Sequence, residues 1–128
     1  MKIEHVGLNV KDPLALTDWY VKNLGMKVLR EGPAPANARF LADESGKVML
    51  EVYCNTAAPV LDFAALDLLV LHFAFLADDV PAAYQRLLKA GATPLVAPLS
   101  ADNGDNLAAV RDPWGIAVQL VKRAMPMV

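Results

Sequence analysis

A chain of 128 residues is long enough for one hydrophobic core, or for two small modules sharing one. Its net charge of −2 and lack of any Lys/Arg run argue against a nucleic-acid partner, and no apolar run approaches the roughly 20 residues of a membrane span. The single cysteine, Cys54, excludes an intrachain disulfide and suits a reducing compartment, while the apolar share of 55% predicts an exposed apolar face and a homodimer.

The opening segment "MKIEHVGLNV" reads as a strand carrying a glutamate and a histidine, not as a signal peptide, which predicts a cytoplasmic protein. Asp12 is a good N-cap and Pro13 a good first helical residue. Leu14, Leu16, Trp19, Tyr20 and Leu24 then supply a helical apolar stripe that Gly25 closes. Three strands follow: "MKVLRE", "ARFLAD" and "KVMLEVY", the last two joined by Glu44, Ser45 and Gly46. Residues 55–66, "NTAAPVLDFAAL", form a connector.

A fifth strand lies within "LLVLHFAFL", Leu68 to Leu76, where His72 stands among eight apolar residues. A buried imidazole without a partner costs roughly 1–3 kcal/mol, so this histidine requires an acceptor, a substrate or a metal ion. Asp78 or Asp79 then caps a helix with Pro81 in its first turn, and Tyr84, Leu87 and Leu88 precede Gly91. The strands "ATPLVA", "LAAVRD" and "IAVQLV" follow, the last two joined by the turn "DPWG".

The two halves repeat. "IEHVGLNVKDP" from Ile3 aligns with "VLHFAFLADDV" from Val70 at an offset of 67 residues, pairing His5 with His72, Gly7 with Ala74 and Asp12 with Asp79. The expected architecture is α+β, built of two β-α-β-β-β modules that form a cupped mixed sheet with helices on its outer face. Module 1–54, connector 55–66 and module 67–128 together make a single domain.

Strand alternation separates the faces. Val6, Leu8 and Val10 should pack on the first helix, leaving His5, Gly7 and Asn9 opposite. Leu69, Leu71, Phe73 and Phe75 should pack on the second, leaving His72 opposite with Val70 and Ala74. The last strand of each half adds one polar residue among apolar ones: Glu51, which shares a face with Met49 and Tyr53, and Gln119, which shares one with Ala117 and Val121. A histidine in an apolar strand is commonly a hydrogen-bonded core residue, and a lone strand glutamate commonly faces solvent. Against that, the chain has only two histidines and both fall on one phase of the repeat, each with a Glu or Gln on the equivalent later strand. An imidazole and a carboxylate on neighbouring strands can converge on a metal ion.

The pattern, with "HVGLNVKDP", "WYVKNLGMKVLR", "LLKAGA" and "RDPWGIAVQLVKR", resembles the vicinal oxygen chelate superfamily over nearly the whole chain. That superfamily includes glyoxalase I, methylmalonyl-CoA epimerase, extradiol dioxygenases and bleomycin-resistance proteins. "WYVKNLGMKVLR" is particularly similar to the glyoxalase I version. The resemblance implies a glyoxalase-like fold and places the metal ligands on His5, Glu51, His72 and Gln119, with Glu51 the only base among them. Glyoxalase I has glutamate at both last-strand positions, so Gln119 is a departure that leaves one anionic ligand instead of two. The implied function is a divalent-metal-dependent lyase or isomerase, with Zn, Ni, Co, Mn or Fe, acting on a small vicinal-oxygen substrate. The alternatives are a non-catalytic small-molecule binding protein of the bleomycin-resistance type and an Fe(II) ring-cleaving dioxygenase.

Further candidates are weaker. Trp19 and Tyr20 sit at helical spacing and read as core. Trp114 either rims the cavity or makes a dimer contact, and Tyr53 is a candidate for the pocket wall. Arg39 and Arg111 are candidates for binding a substrate carboxylate, with solvated surface the plainer role. The loop "SADNGDN", residues 100–106, is either a lid or an ordinary hairpin loop.

Overall fold

A computed structural model describes residues 1–47 and 49–127, and Val48 of the expected strand "KVMLEVY" lies outside them. The chain divides into two compact units, Met1–Leu61 and Asp62–Val128. Among the described residues each carries one α-helix and one four-stranded mixed sheet, so the fold is α+β with the expected β-α-β-β-β order twice over.

In the first unit the elements are β1 (Val6–Asn9), α1 (Pro13–Leu24), β2 (Lys27–Glu31), β3 (Arg39–Ala42) and β4 (Met49–Tyr53). The sheet order is β1-β4-β3-β2, with β1 parallel to β4 and the remaining pairs antiparallel. A helix between β1 and β2 supplies the long connection that a crossover needs, while β2, β3 and β4 form a simple meander. The Asp12 carboxylate accepts from the Ala15 amide at 3.0 Å, and Pro13 starts the helix where its missing N–H is not needed. Gly25 ends it in the left-handed conformation, φ +70°. Leu16 and Tyr20 of α1 are buried, as are Leu41, Leu50 and Val52 of the sheet. The expected stripe differs in detail: Leu14 is exposed, Trp19 is half-buried, and Thr17 is buried in their place.

The second unit opens with a short 3-10 helix, Phe63–Ala65, followed by β5 (Phe73–Leu76), α2 (Val80–Lys89), β6 (Thr93–Ser100), β7 (Asn106–Arg111) and β8 (Ala117–Lys122). Its sheet order, β5-β8-β7-β6, repeats that of the first unit, with β5 parallel to β8. Asp79, not Asp78, caps α2 by accepting from Ala82 N at 2.9 Å. Val80, Tyr84 and Leu87 are buried with Val110, Val118 and Leu120 of the sheet on which α2 packs.

Two expectations for this unit change. β6 runs on to Ser100, three residues beyond "ATPLVA". The apolar run from Leu68 is not one long strand: residues 67–70 form a turn, closed by Val70 N donating to the Asp67 carbonyl at 3.0 Å and Leu69 N donating to the Asp67 carboxylate at 2.8 Å. Leu69 is therefore exposed and does not pack on the helix. An aspartate that offers both oxygens to the next amides favours a turn over a ladder, and it outweighs the apolar composition around it.

The connector is anchored at both ends. Asn9 Nδ2 donates to the carbonyls of Asn55 (3.0 Å) and Ala58 (3.1 Å), while its Oδ1 accepts from Asn55 N at 2.8 Å. In the second unit the Arg111 guanidinium donates to the carbonyls of Phe63 (3.0 Å), Leu66 (2.7 Å) and Gly115 (2.9 Å). Among the described residues no helix is long and apolar enough to cross a membrane.

Candidate functional site

Register, more than composition, brings the candidate residues into pairs. In the first unit Gly7 of β1 stands opposite Glu51 of β4, and Asn9 opposite Tyr53. A Cβ built on Gly7 would lie 3.4 Å from Glu51 Oε2 and 3.5 Å from Tyr53 Cε1, so all three share the sheet face that α1 does not cover. In the second unit Ala74 stands opposite Gln119. The two pairings occupy the same place in their sheets, as the repeat requires. His5 immediately precedes β1 and His72 immediately precedes β5, each two residues before its pairing position.

His5 and Glu51 are in contact. The imidazole Nε2 lies 3.3 Å from Glu51 Oε2, and both side chains are partly exposed. On its other edge, His5 Nδ1 is hydrogen-bonded to the Glu4 carboxylate. Phe40 of β3, opposite Glu51 in the ladder, meets the imidazole edge to face with ring centroids 5.4 Å apart. The hydrogen bond to Glu4 raises the His5 pKa above its ordinary value; burial opposes the rise, and Coulombic attraction from Glu4 and then Glu51 adds to it.

His72 answers the need for a partner differently. It is exposed, and its Nδ1 is 2.8 Å from the Leu68 carbonyl oxygen of the preceding turn. Its polar requirement is thus met by backbone at one nitrogen. Gln119 is half-buried on β8 between Ala74 and Ala109.

The donor chemistry fits a divalent ion. Two donors each about 2.0–2.2 Å from one ion lie roughly 2.8–3.6 Å apart for octahedral to tetrahedral angles. The 3.3 Å between His5 Nε2 and Glu51 Oε2 falls in that range. A hydrogen bond at Nδ1 leaves Nε2 as the coordinating nitrogen, the usual arrangement for a ligating imidazole, and both histidines have it. Among the described residues no group of three or more His, Cys, Asp or Glu side chains is gathered to hold a metal.

Several of the weaker candidates make structural contacts. Arg111 spends its guanidinium on three backbone carbonyls. Arg39 does much the same, donating to the Gly32 and Ala38 carbonyls at 3.2 and 3.0 Å and lying 3.4 Å from Glu31. Loop 100–106 is a pinned hairpin connection: Ala101 N donates to the Asp105 carbonyl at 2.8 Å. The nearly buried Asp105 carboxylate accepts from Ala124 N (2.9 Å) and Arg123 (2.5 Å). The Ala124 amide, then Arg123, holds the Asp105 carboxyl below its usual range. Trp114 is half-buried in the 112–115 turn, where its amide donates to the Asp112 carboxylate at 2.9 Å.

Glu4 and Phe40, which complete the surroundings of His5, do not stand out in the sequence. Phe40 was accessible through register, since alternation on β3 aligns it with Glu51. Glu4 was hidden by alternation itself, which turns neighbouring strand residues to opposite faces; it reaches His5 because the strand begins only at Val6.

Comparison with known proteins agrees with this architecture. The sequence model for the Glyoxalase/Bleomycin resistance protein/Dioxygenase superfamily matches residues 2–120. A glyoxalase I mutant from Zea mays aligns with a TM-score of 0.76 at 25% identity, covering 97% of this chain and 46% of that one, so the present chain spans about half that protein's length. A glyoxalase family protein from Bacillus cereus aligns at 0.79 with 16% identity, covering 94% and 93% of the two chains. An antibiotic-binding protein from Streptomyces sp. CB03234 aligns at 0.68 with 22% identity, covering 97% and 99%. These last two are likenesses of fold. No curated protein sequence matches.

Proposed function

The chain belongs to the Glyoxalase/Bleomycin resistance protein/Dioxygenase superfamily, and from that premise we propose that it is a cytosolic, divalent-metal-dependent lyase or isomerase acting on a small substrate with two adjacent oxygens. The observation that carries the reading is His5 Nε2 at 3.3 Å from Glu51 Oε2, on a strand register repeated by His72 and Gln119 in the second half. The proposed ligands are His5, Glu51, His72 and Gln119, and the metal is one of Zn, Ni, Co, Mn or Fe, all compatible with imidazole, carboxylate and amide donors.

When bound, the ion supplies Lewis acidity, polarising a substrate carbonyl and stabilising negative charge that develops beside it. The chain's own residues do the rest. Glu51 is the one ionisable oxygen donor in the set, so it moves the proton on the carbon next to the carbonyl. Gln119 is neutral and holds no proton; its role is confined to donating an oxygen. The protein acts as a homodimer in this proposal, with exposed apolar residues such as Leu69, Val70 and Leu76 available for burial.

A second reading is a binding protein that sequesters a small molecule without turnover; the neighbour from Streptomyces sp. CB03234 is described as an antibiotic-binding protein. The neutral amide at 119, which leaves one anionic donor in the set, favours it. Elemental analysis of purified protein separates the two. The enzymatic reading expects near-stoichiometric divalent metal, lost in both His5→Ala and His72→Ala. Metal-free protein whose stability neither substitution alters would refute it in favour of sequestration.

A further inference from the structure

Three groups surround the His5 imidazole, and each constrains a different freedom of the ring. Glu51 faces Nε2, Phe40 meets the ring edge to face, and Glu4 is bonded to Nδ1. The chemistry at Nδ1 decides what Nε2 can do. A neutral imidazole carries one proton and two carboxylates compete for it, Glu4 hydrogen-bonded at Nδ1 and Glu51 3.3 Å from Nε2; the closer, hydrogen-bonded acceptor draws it to Nδ1 and leaves a lone pair at Nε2.

The second half lacks this device. The repeat places Leu71 at the position equivalent to Glu4, and an apolar side chain offers no acceptor. His72 turns instead to the neutral carbonyl of Leu68. One histidine is thus held by an anion and the other by a backbone dipole. An anionic acceptor makes the stronger hydrogen bond and the more electron-rich imidazole. Glu4 is itself largely exposed, with no burial requirement of its own that its contact with His5 satisfies.

We propose that Glu4 is a positioning residue: its carboxylate accepts the His5 Nδ1–H bond and holds the imidazole in the tautomer whose Nε2 lone pair faces Glu51. Its consequence for metal affinity rests on the function proposed above; its effect on the tautomer does not. The first unit then holds the more strongly donating of the two histidines, and the repeat is chemically unequal at its two imidazoles.

The test uses the full-length protein, metal-free and labelled with 15N in histidine, at about pH 9 where imidazole is neutral. Long-range 15N–1H correlation spectra report which ring nitrogen carries the proton. Wild type is expected to show His5 as the Nδ1–H form. Glu4→Ala should move it toward Nε2–H, while Glu4→Gln, whose amide oxygen still accepts, should retain Nδ1–H; the His72 signals should stay fixed in both variants. Competition with a chromophoric chelator should then show about a 10–100-fold weaker metal affinity for Glu4→Ala, with partial recovery in Glu4→Gln. An Nε2–H form in wild type, or a tautomer indifferent to Glu4→Ala, overturns the proposal even if metal binds. A wild type that takes up no metal overturns the proposed function instead, and the tautomer spectra still decide the role of Glu4.

Discussion

Gly115→Ala measures how tightly the turn before β8 is packed against the 3-10 helix. Gly115 has φ +89°, and a Cβ there would lie 2.7 Å from Ala64 N, 2.8 Å from Ala64 Cβ and 2.9 Å from Ala64 Cα. None of these atoms can rotate away, so the backbone of one segment must shift by most of an ångström. Positive φ alone costs a side-chain-bearing residue about 1–2 kcal/mol, and overpacking of this kind adds about 1–3 kcal/mol. Gly91 in the same unit provides the control: its φ is +97°, but its Cβ would meet only Pro113 Cγ at 3.9 Å, an ordinary contact. Gly91→Ala should therefore cost about 1–2 kcal/mol, and Gly115→Ala about 2–5. The difference of about 1–3 kcal/mol corresponds to roughly 3–15 °C in Tm for a chain of this length. Thermal melts followed by circular dichroism, with urea titrations for the free energies, read both values. If the two variants melt within about a degree of each other, the close approach of Gly115 to Ala64 is not a constraint on the fold and the reasoning fails.

Arg111→Met should lower stability by about 2–4 kcal/mol, because three backbone carbonyls lose a charged donor; an unchanged urea midpoint would return Arg111 to the role of a free surface cation. Gln119→Glu should increase metal retention during dialysis against a chelator, since it adds a second anionic donor; unchanged retention would show that residue 119 is not a ligand. Asp105 has a folded pKa below its unfolded value of about 3.9, so its stabilisation is present above that value and lost as pH falls through the folded pKa. The Tm gap between wild type and Asp105→Asn should accordingly be constant near neutrality and close below about pH 4; a gap that widens in acid contradicts the sign. Size-exclusion chromatography with light scattering should give a mass near twice 13.8 kDa; a monomer would mean that Leu69, Val70 and Leu76 remain exposed in solution.

The periodicity of the sequence was sufficient for the element order, because the signals involved are local. Asp12 and Asp79 cap helices through contacts spanning three residues, and Gly25 takes the left-handed conformation that few other residues accept. The repeat carried the placement of the polar residues in both halves: its offset is 67 residues at the histidines and 68 at Glu51 and Gln119, a slightly longer turn absorbing the difference, and Gly7 pairs with Glu51 as Ala74 pairs with Gln119. His5, Glu51, His72 and Gln119 stand out in the sequence as polar exceptions at equivalent places of the two halves.

What the tertiary structure decided depends on which partner a polar group chooses, and alternation carries no information about that. Arg111, a candidate for a substrate carboxylate or for solvated surface, and Asn9, placed by alternation on the face of His5, are delivered by folding to backbone carbonyls more than 40 residues away in sequence. Asp67 closes a turn over the first residues of an otherwise strand-like apolar run, because its carbonyl and carboxylate oxygens satisfy local amides before a neighbouring strand can. Glu4 meets His5 only because pairing starts one residue later, at Val6. Local propensity and repeat phase thus determine the elements and their register, whereas the hydrogen-bond partners of the polar side chains are settled only when distant segments are packed, since each buried carbonyl or amide must then find whatever donor or acceptor lies within reach.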